Sequence, residues 1–97
     1  MNLNQLHYFV TLAHMEHFTK AAEELDITQP SLSHAMTTLE QELGTKLFQK
    51  QGRGVSLTKY GQIFLKYAEE SVRILDMRVR KTKEMRGQTA GLIEVGY

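Results

Sequence analysis

The side chains of this 97-residue chain that can do chemistry fall into three groups. His14 and His17 stand three apart and His7 stands seven before His14, a spacing that lets one helix face offer imidazoles to a metal ion. No cysteine is present and no acid sits at a convincing third ligand position, so neither a metal nor a cofactor is expected. Both His14 and His17 are placed instead at the exposed end of a first helix. The second group is the run Thr28-Gln29-Pro30-Ser31-Leu32-Ser33-His34, with Thr37 after it. Its hydroxyls, amide and imidazole donate and accept hydrogen bonds without net charge. The third is Arg53 between Gly52 and Gly54, with Lys46 and Lys50 upstream, a set of cations suited to an anionic surface. A Ser-His-acid arrangement, a paired-carboxylate site and a glycine-rich phosphate loop are all lacking, so the chain is not read as an enzyme.

Composition narrows the setting for these groups. Charged residues make up 24% and hydrophobic ones 41%, which at this length describes one domain held by packing, with help from a partner subunit plausible in advance. No window approaches the roughly 18 apolar residues of a membrane helix, and the amino end lacks the pattern of a secretory leader, so a cytoplasmic protein is expected. The formal charge of +1 conceals an asymmetry. Residues 1–45 carry one base against six acids, and residues 46–86 carry eleven bases against four acids. Within the acidic half, Ile27 through Leu39 carries no formal charge. A face meant only for water usually carries lysine and glutamate. A face that must approach phosphates without repelling them does not, although an ordinary solvated helix remains the plain alternative.

Apolar periodicity supplies the elements that position these groups. Leu6, Phe9, Val10 and Ala13 predict one stripe of a first helix. Phe18, Ala21, Ala22 and Leu25 predict a short second helix, with Thr19 as its cap. Asp26-Ile27-Thr28 is a tight connection, and Thr28 and Pro30 open a third helix whose stripe is Leu32, Ala35, Met36, Leu39 and Leu43. Gly44 ends it. Leu47 to Lys50 and Val55 to Leu57 read as strands around a basic tip, Gln51-Gly52-Arg53-Gly54. Thr58 caps a long helix to about Arg86, with Gly87 beyond its end. Its first three turns should be covered through Ile63, Phe64 and Tyr67, and beyond them Ala68, Val72, Leu75 and Val79 follow the seam spacing of a two-helix coil.

Two helices joined by a three- or four-residue turn, with alanines where they touch, form a helix-turn-helix, whose second helix enters a major groove. Glutamine there can meet adenine through two hydrogen bonds. A basic hairpin following this pair reads as a wing whose arginine suits the negative potential of a minor groove. The run FTKAAEELDITQPSLSHAMTTLEQELGTKLFQKQGRGVSLTKYG resembles the amino-terminal domain of LysR-type transcriptional regulators, and the resemblance extends from Leu3 to Tyr97. Its specific parts are the Ala21-Ala22 pair, Thr28 to Ser33, Leu39-Glu40, Leu43-Gly44, Leu47-Phe48, Arg53, and Leu57-Thr58 followed by Gly61.

The resulting expectation is a mainly α fold: a winged helix-turn-helix, with a three-helix core and a two-stranded wing, followed by a long linker helix. Residues 1–58 would form the DNA-binding domain, with the helix-turn-helix at about 18–37. Residues 59–86 would be the dimerisation helix, and 87–97 the start of a truncated effector-binding domain. The resemblance implies that Gln29, Pro30, Ser33 and the residue at 34 approach bases, that Arg53 enters a minor groove, and that the long helix pairs antiparallel with a second copy. Many members carry arginine or glutamine where this chain has His34, so base preference there does not transfer. Thr37 joins the reading face, while Thr28, Ser31, Lys46 and Lys50 are assigned to the phosphate backbone. Ala68, Val72, Leu75 and Val79 are assigned to the dimer. The expected partners are double-stranded DNA, a second copy (with a tetramer possible at full length) and, in the intact regulator, RNA polymerase and a small-molecule inducer. The rival from another class is a protein-interaction module with a dimeric scaffold helix; it lacks aromatic or apolar anchors between Gln29 and Thr37.

Overall fold

Capping side chains and left-handed residues punctuate the described residues into six elements. The computed structural model describes residues 1–90, with side chains through Ile74. The order is α1 (Leu3–Met15), α2 (Phe18–Leu25), α3 (Gln29–Leu43), β1 (Phe48–Gln51), β2 (Gly54–Leu57) and α4 (Lys59–Ala90). Asn2 and Gln5 cap α1 reciprocally, each side chain accepting from the other's backbone N–H. Thr28 caps α3 by accepting from the Ser31 N–H at 3.2 Å, as its position before Pro30 predicts. The cap of α2 is His17, whose ring Nδ1 accepts from the Lys20 N–H, and Thr19 lies inside the helix rather than at its start. Glu16, Asp26 and Gly44 end the three helices in the left-handed region. The predicted stop at Gly87 is also overturned. α4 continues through it to Ala90, because one glycine inside a long helix costs only about 1 kcal/mol against alanine.

The core forms where α1, α2, α3 and α4 converge. Phe9, Leu12, Leu32, Leu39 and Leu47 are its largest fully buried side chains. Phe9 is central: its ring lies 5.3 Å from that of Phe48 on β1 and 5.1 Å from that of Phe64 on α4, both in tilted or edge-on geometry. The buried face of α1 is thus Gln5, Phe9 and Leu12, with Leu6 and Val10 at its margins. Ala13, predicted on the stripe, is half-buried and outside the core cluster, since the face is rotated toward Leu12.

α4 has two apolar faces, and the predicted division between them is corrected. Gly61, Phe64, Leu65 and Ala68 turn inward. Ile63 and Tyr67 were expected under the core, yet they are 51% and 67% exposed, on a face about a third of a turn away that they share with Tyr60 and Ile74. Ala68, expected in the dimer seam, is 1% exposed within the single chain and has no surface left for a partner. Val72 is half-buried in line with it. Leu75 and Val79 lie outside the residues whose side chains are described, and of the expected start of an effector-binding domain at 87–97, residues 91–97 lie outside the described residues altogether.

β1 and β2 pair antiparallel from Phe48↔Leu57 to Gln51↔Gly54, leaving Gly52 and Arg53 as the turn. β1 begins and ends one residue later than the predicted run, with Leu47 buried just before it, while β2 begins one residue earlier than predicted and ends at Leu57 as expected. Two glycines allow the wing to sit this close. A Cβ on Gly54 would lie 2.3 Å from the Glu16 carbonyl oxygen, and one on Gly61 would lie 2.2 Å from that of Leu47. Thr58 finishes the joint, donating its hydroxyl proton to the Lys46 carbonyl and accepting from the Gly61 N–H. Because Phe9 alone touches both other rings, Phe9→Ala should remove about 3–5 kcal/mol of stability. Urea unfolding of the two proteins measures it, and a loss below 1 kcal/mol would remove Phe9 from the centre of the core.

Candidate nucleic-acid interface

The turn between α2 and α3 sets the outward face of α3. Asp26 takes φ 59°, its N–H returning to Ala22 and Glu23, and the chain emerges at Thr28 already extended. With Leu32, Met36 and Leu39 buried, helical phase turns the opposite side to solvent, and Thr28, Gln29, Pro30, Ser31, Ser33, His34 and Thr37 are all exposed. The uncharged run therefore projects from the surface. Thr28 and Ser31 also engage each other, the Thr28 hydroxyl donating to Ser31 Oγ at 2.8 Å.

A groove of about 410 Å³ lies between this face and the wing. Gln29, Ser33 and Thr37 line one side, and Lys46, Lys50 and Arg53 line the other. Six of the residues singled out from sequence are thereby brought together. Pro30 and His34 are exposed but lie outside its walls, on the outer side of α3. Three cations and one carboxylate line the groove, so its electrostatic preference is for an anion at the wing and a neutral hydrogen-bonding edge at the helix.

That carboxylate, Glu40, has a role that counting charges concealed. Its Oε2 accepts from the Leu47 N–H at 2.7 Å and the Phe48 N–H at 3.3 Å, and its Oε1 lies 3.8 Å from Lys46 Nζ. The side chain is only 13% exposed. Glu40 thus ties the root of the wing to the C-terminal half of α3. Its position gave a usable signal, since it follows Leu32 and Met36 at intervals of four and so falls on the buried stripe, where a charge needs partners. His17 and Thr19 were also missed as groove residues. Thr19 donates to Gln29 Oε1 at 3.1 Å across the α2–α3 turn, a contact that no local pattern announces.

The histidines do not converge. His14 pairs with Glu69 on α4, and His17 caps α2. Among the described residues no group of three or more His, Cys, Asp or Glu is placed to hold a metal ion, and no helix is long and apolar enough to cross a membrane.

Residues 3–62 match the family model described as a bacterial regulatory helix-turn-helix protein of the lysR family. The chain is similar to the HTH-type transcriptional regulator BudR of Klebsiella aerogenes, 42% identical over 92 residues that cover 95% of this chain and 62% of that protein. It is also similar to the HTH-type transcriptional regulator BenM of Acinetobacter baylyi, 40% identical over 97 residues, all of this chain and 32% of BenM. It therefore spans less than two thirds of either relative. A crystal structure of the BenM DNA-binding domain with catB site 1 DNA matches with a TM-score of 0.82 at 40% identity, covering 88% of this chain and 94% of that one. Glu40→Ala leaves the amides of Leu47 and Phe48 without their acceptor, so it should cost about 1–3 kcal/mol and loosen the wing selectively. Hydrogen exchange would detect this as faster exchange at Leu47 and Phe48 than in α2; uniform acceleration across both would deny Glu40 its local role.

Proposed function

The chain belongs to the lysR family of bacterial regulatory helix-turn-helix proteins, and from that premise we propose that it is the DNA-reading part of a cytoplasmic transcriptional regulator rather than an enzyme. α3 enters a major groove and presents Gln29, Pro30, Ser33, His34 and Thr37 to base edges. The wing delivers Arg53 to the adjoining minor groove, and Thr28, Ser31, Lys46 and Lys50 hold phosphates. The observation that carries this reading is the shared groove, in which the neutral face of α3 lies beside three cations of the wing. Phosphate contacts set position while base contacts discriminate, and the two kinds are carried here by different elements. In the intact regulator, by family membership, a further domain binds a small-molecule inducer and alters contact with RNA polymerase, with residues 1–58 reading DNA, the helix from 59 to 90 joining the copies, and the residues after it opening the effector domain.

Dimerisation through α4 belongs to the same proposal, with its seam revised. Tyr60, Ile63, Tyr67 and Ile74 recur at three, four and seven, all exposed, and they replace Ala68 as the surface a second copy covers. Val72, Leu75 and Val79 continue the Ala68 row about a third of a turn from this face, and on their sequence spacing they are proposed to meet the partner only beyond the end of the core. Burying such side chains contributes roughly 1.5–3 kcal/mol each at most. Two copies then place their α3 helices on half-sites about one helical turn apart.

Gln29→Ala and Arg53→Ala should separate the two kinds of contact. Fluorescence anisotropy at several salt concentrations should show Gln29→Ala losing about 1–3 kcal/mol on a selected duplex and little on random DNA. Arg53→Ala should weaken both and lower the salt slope by about one. Equal losses on both duplexes for Gln29→Ala, or an unaltered slope for Arg53→Ala, refutes the corresponding assignment. For the seam, Ile63→Asp should convert dimer to monomer in sedimentation while the circular dichroism spectrum keeps its helical form; a persisting dimer refutes it.

A further inference from the structure

Gln29 is the only residue of the α3 reading face, among the described residues, whose side chain is hydrogen-bonded to another helix. The Thr19 hydroxyl on α2 donates to its Oε1 at 3.1 Å, across the turn at Asp26. Both residues are exposed and both line the groove. The consequence follows from the chemistry of an amide. A glutamine at a helix start has three rotatable bonds and loses much of their freedom when it binds, which lowers its contribution. An amide already tied at its oxygen has lost part of that freedom in the free protein. The tie also has a direction. With one lone pair of Oε1 engaged toward α2, the remaining lone pair and the two Nε2 protons are left for a ligand. That is an acceptor beside a donor, the pair that complements the N6–H and N7 of adenine.

We propose that Thr19 is a positioning residue for Gln29, holding the amide so that it favours an adenine edge over the other bases. This rests on the reading of Gln29 as a base contact. Thr19 itself touches no base. A capping hydroxyl would be turned to the backbone of α2; with His17 as the cap, the Thr19 hydroxyl is free to reach across.

The experiment uses Thr19→Val, which keeps the shape and removes the hydroxyl, and Thr19→Ser, which keeps the hydroxyl. The probe is a duplex recovered from a random-sequence pool by repeated selection on the wild-type protein, together with versions in which each base pair is substituted in turn. Thr19→Val should lower discrimination about three- to tenfold at the same base pair that Gln29→Ala affects, the size of one lost hydrogen bond. Random-duplex affinity and salt slope should hold, Thr19→Ser should restore the discrimination, and Thr19→Val should add nothing once Gln29 is alanine. In the DNA-free protein, the Gln29 side-chain NH2 resonances should become more mobile in Thr19→Val and not in Thr19→Ser. An unchanged Gln29 amide in Thr19→Val, or a loss that persists in the Gln29→Ala background, overturns the proposal. If Gln29→Ala costs discrimination and Thr19→Val does not, the positioning role alone falls. If Gln29→Ala costs none, the base-reading role falls and takes this inference with it.

Discussion

The packing of Phe9 against Phe48 and Phe64 is the constraint on which the rest of the arrangement depends. It is the place where the first helix, the root of the wing and the long helix meet in one desolvated contact. A three-helix unit of this size buries little surface, and a two-stranded hairpin has no stability of its own in water. Each becomes stable only against the other. Phe9 is fully buried because α1 lies between α2 and α3 on one side and α4 on the other, and Phe48 brings β1 to the same point. The wing therefore stands on the core rather than hanging from it.

Polar contacts then fix the angle at which it stands. Val55 donates its N–H to the carbonyl of Glu16, and Thr58 donates its own to that of Leu47. Both approaches are possible only because Gly54 and Gly61 lack a Cβ. Glu40 closes the third side. Its carboxylate takes two backbone amides that an isolated hairpin would leave to water, and the charge it brings near the groove is offset by Lys46. α3 and the wing are thus held as one rigid piece, which matters because the two grooves of a duplex are separated by a distance that protein motion cannot adjust without cost.

How much of this was legible in the residues depends on the range of the signal. Thr28 before Pro30, Gly44 after Leu43 and the strand pair around Gly52 and Arg53 are local chemistry, and each element formed close to where that chemistry puts it. The exposed neutral face of α3 follows directly from the burial of Leu32, Met36 and Leu39. What failed needed long-range information. Thr19 has the side chain of a cap, but the extended residue before α2 is His17, and the imidazole takes the role. In α4 every turn carries apolar residues on two sides, so periodicity alone cannot say whether Ala68 or Tyr67 faces the core; in the folded chain Ala68 does and Tyr67 is exposed. Glu40 was counted only as a charge, although its spacing from Met36 put it on the buried stripe.

The two faces of α4 bear on what a dimer of this domain can do. Gly61, Phe64 and Ala68 fasten the helix to the core, while Tyr60, Ile63 and Tyr67 stand about a third of a turn away and uncovered. A partner docked on the outer face cannot rotate relative to it without moving the inner face, and the inner face is locked to Phe9. The path from that outer face to the exposed face of α3 runs through packed side chains and one carboxylate clamp. In the dimer proposed above, a change in how two copies meet would therefore appear as a change in the separation or tilt of their α3 helices. A neutral reading helix contributes little affinity alone, so binding by such a dimer depends steeply on whether both copies can engage at once. Small changes of geometry at the seam are converted by that dependence into large changes of occupancy, which is the property a regulator needs.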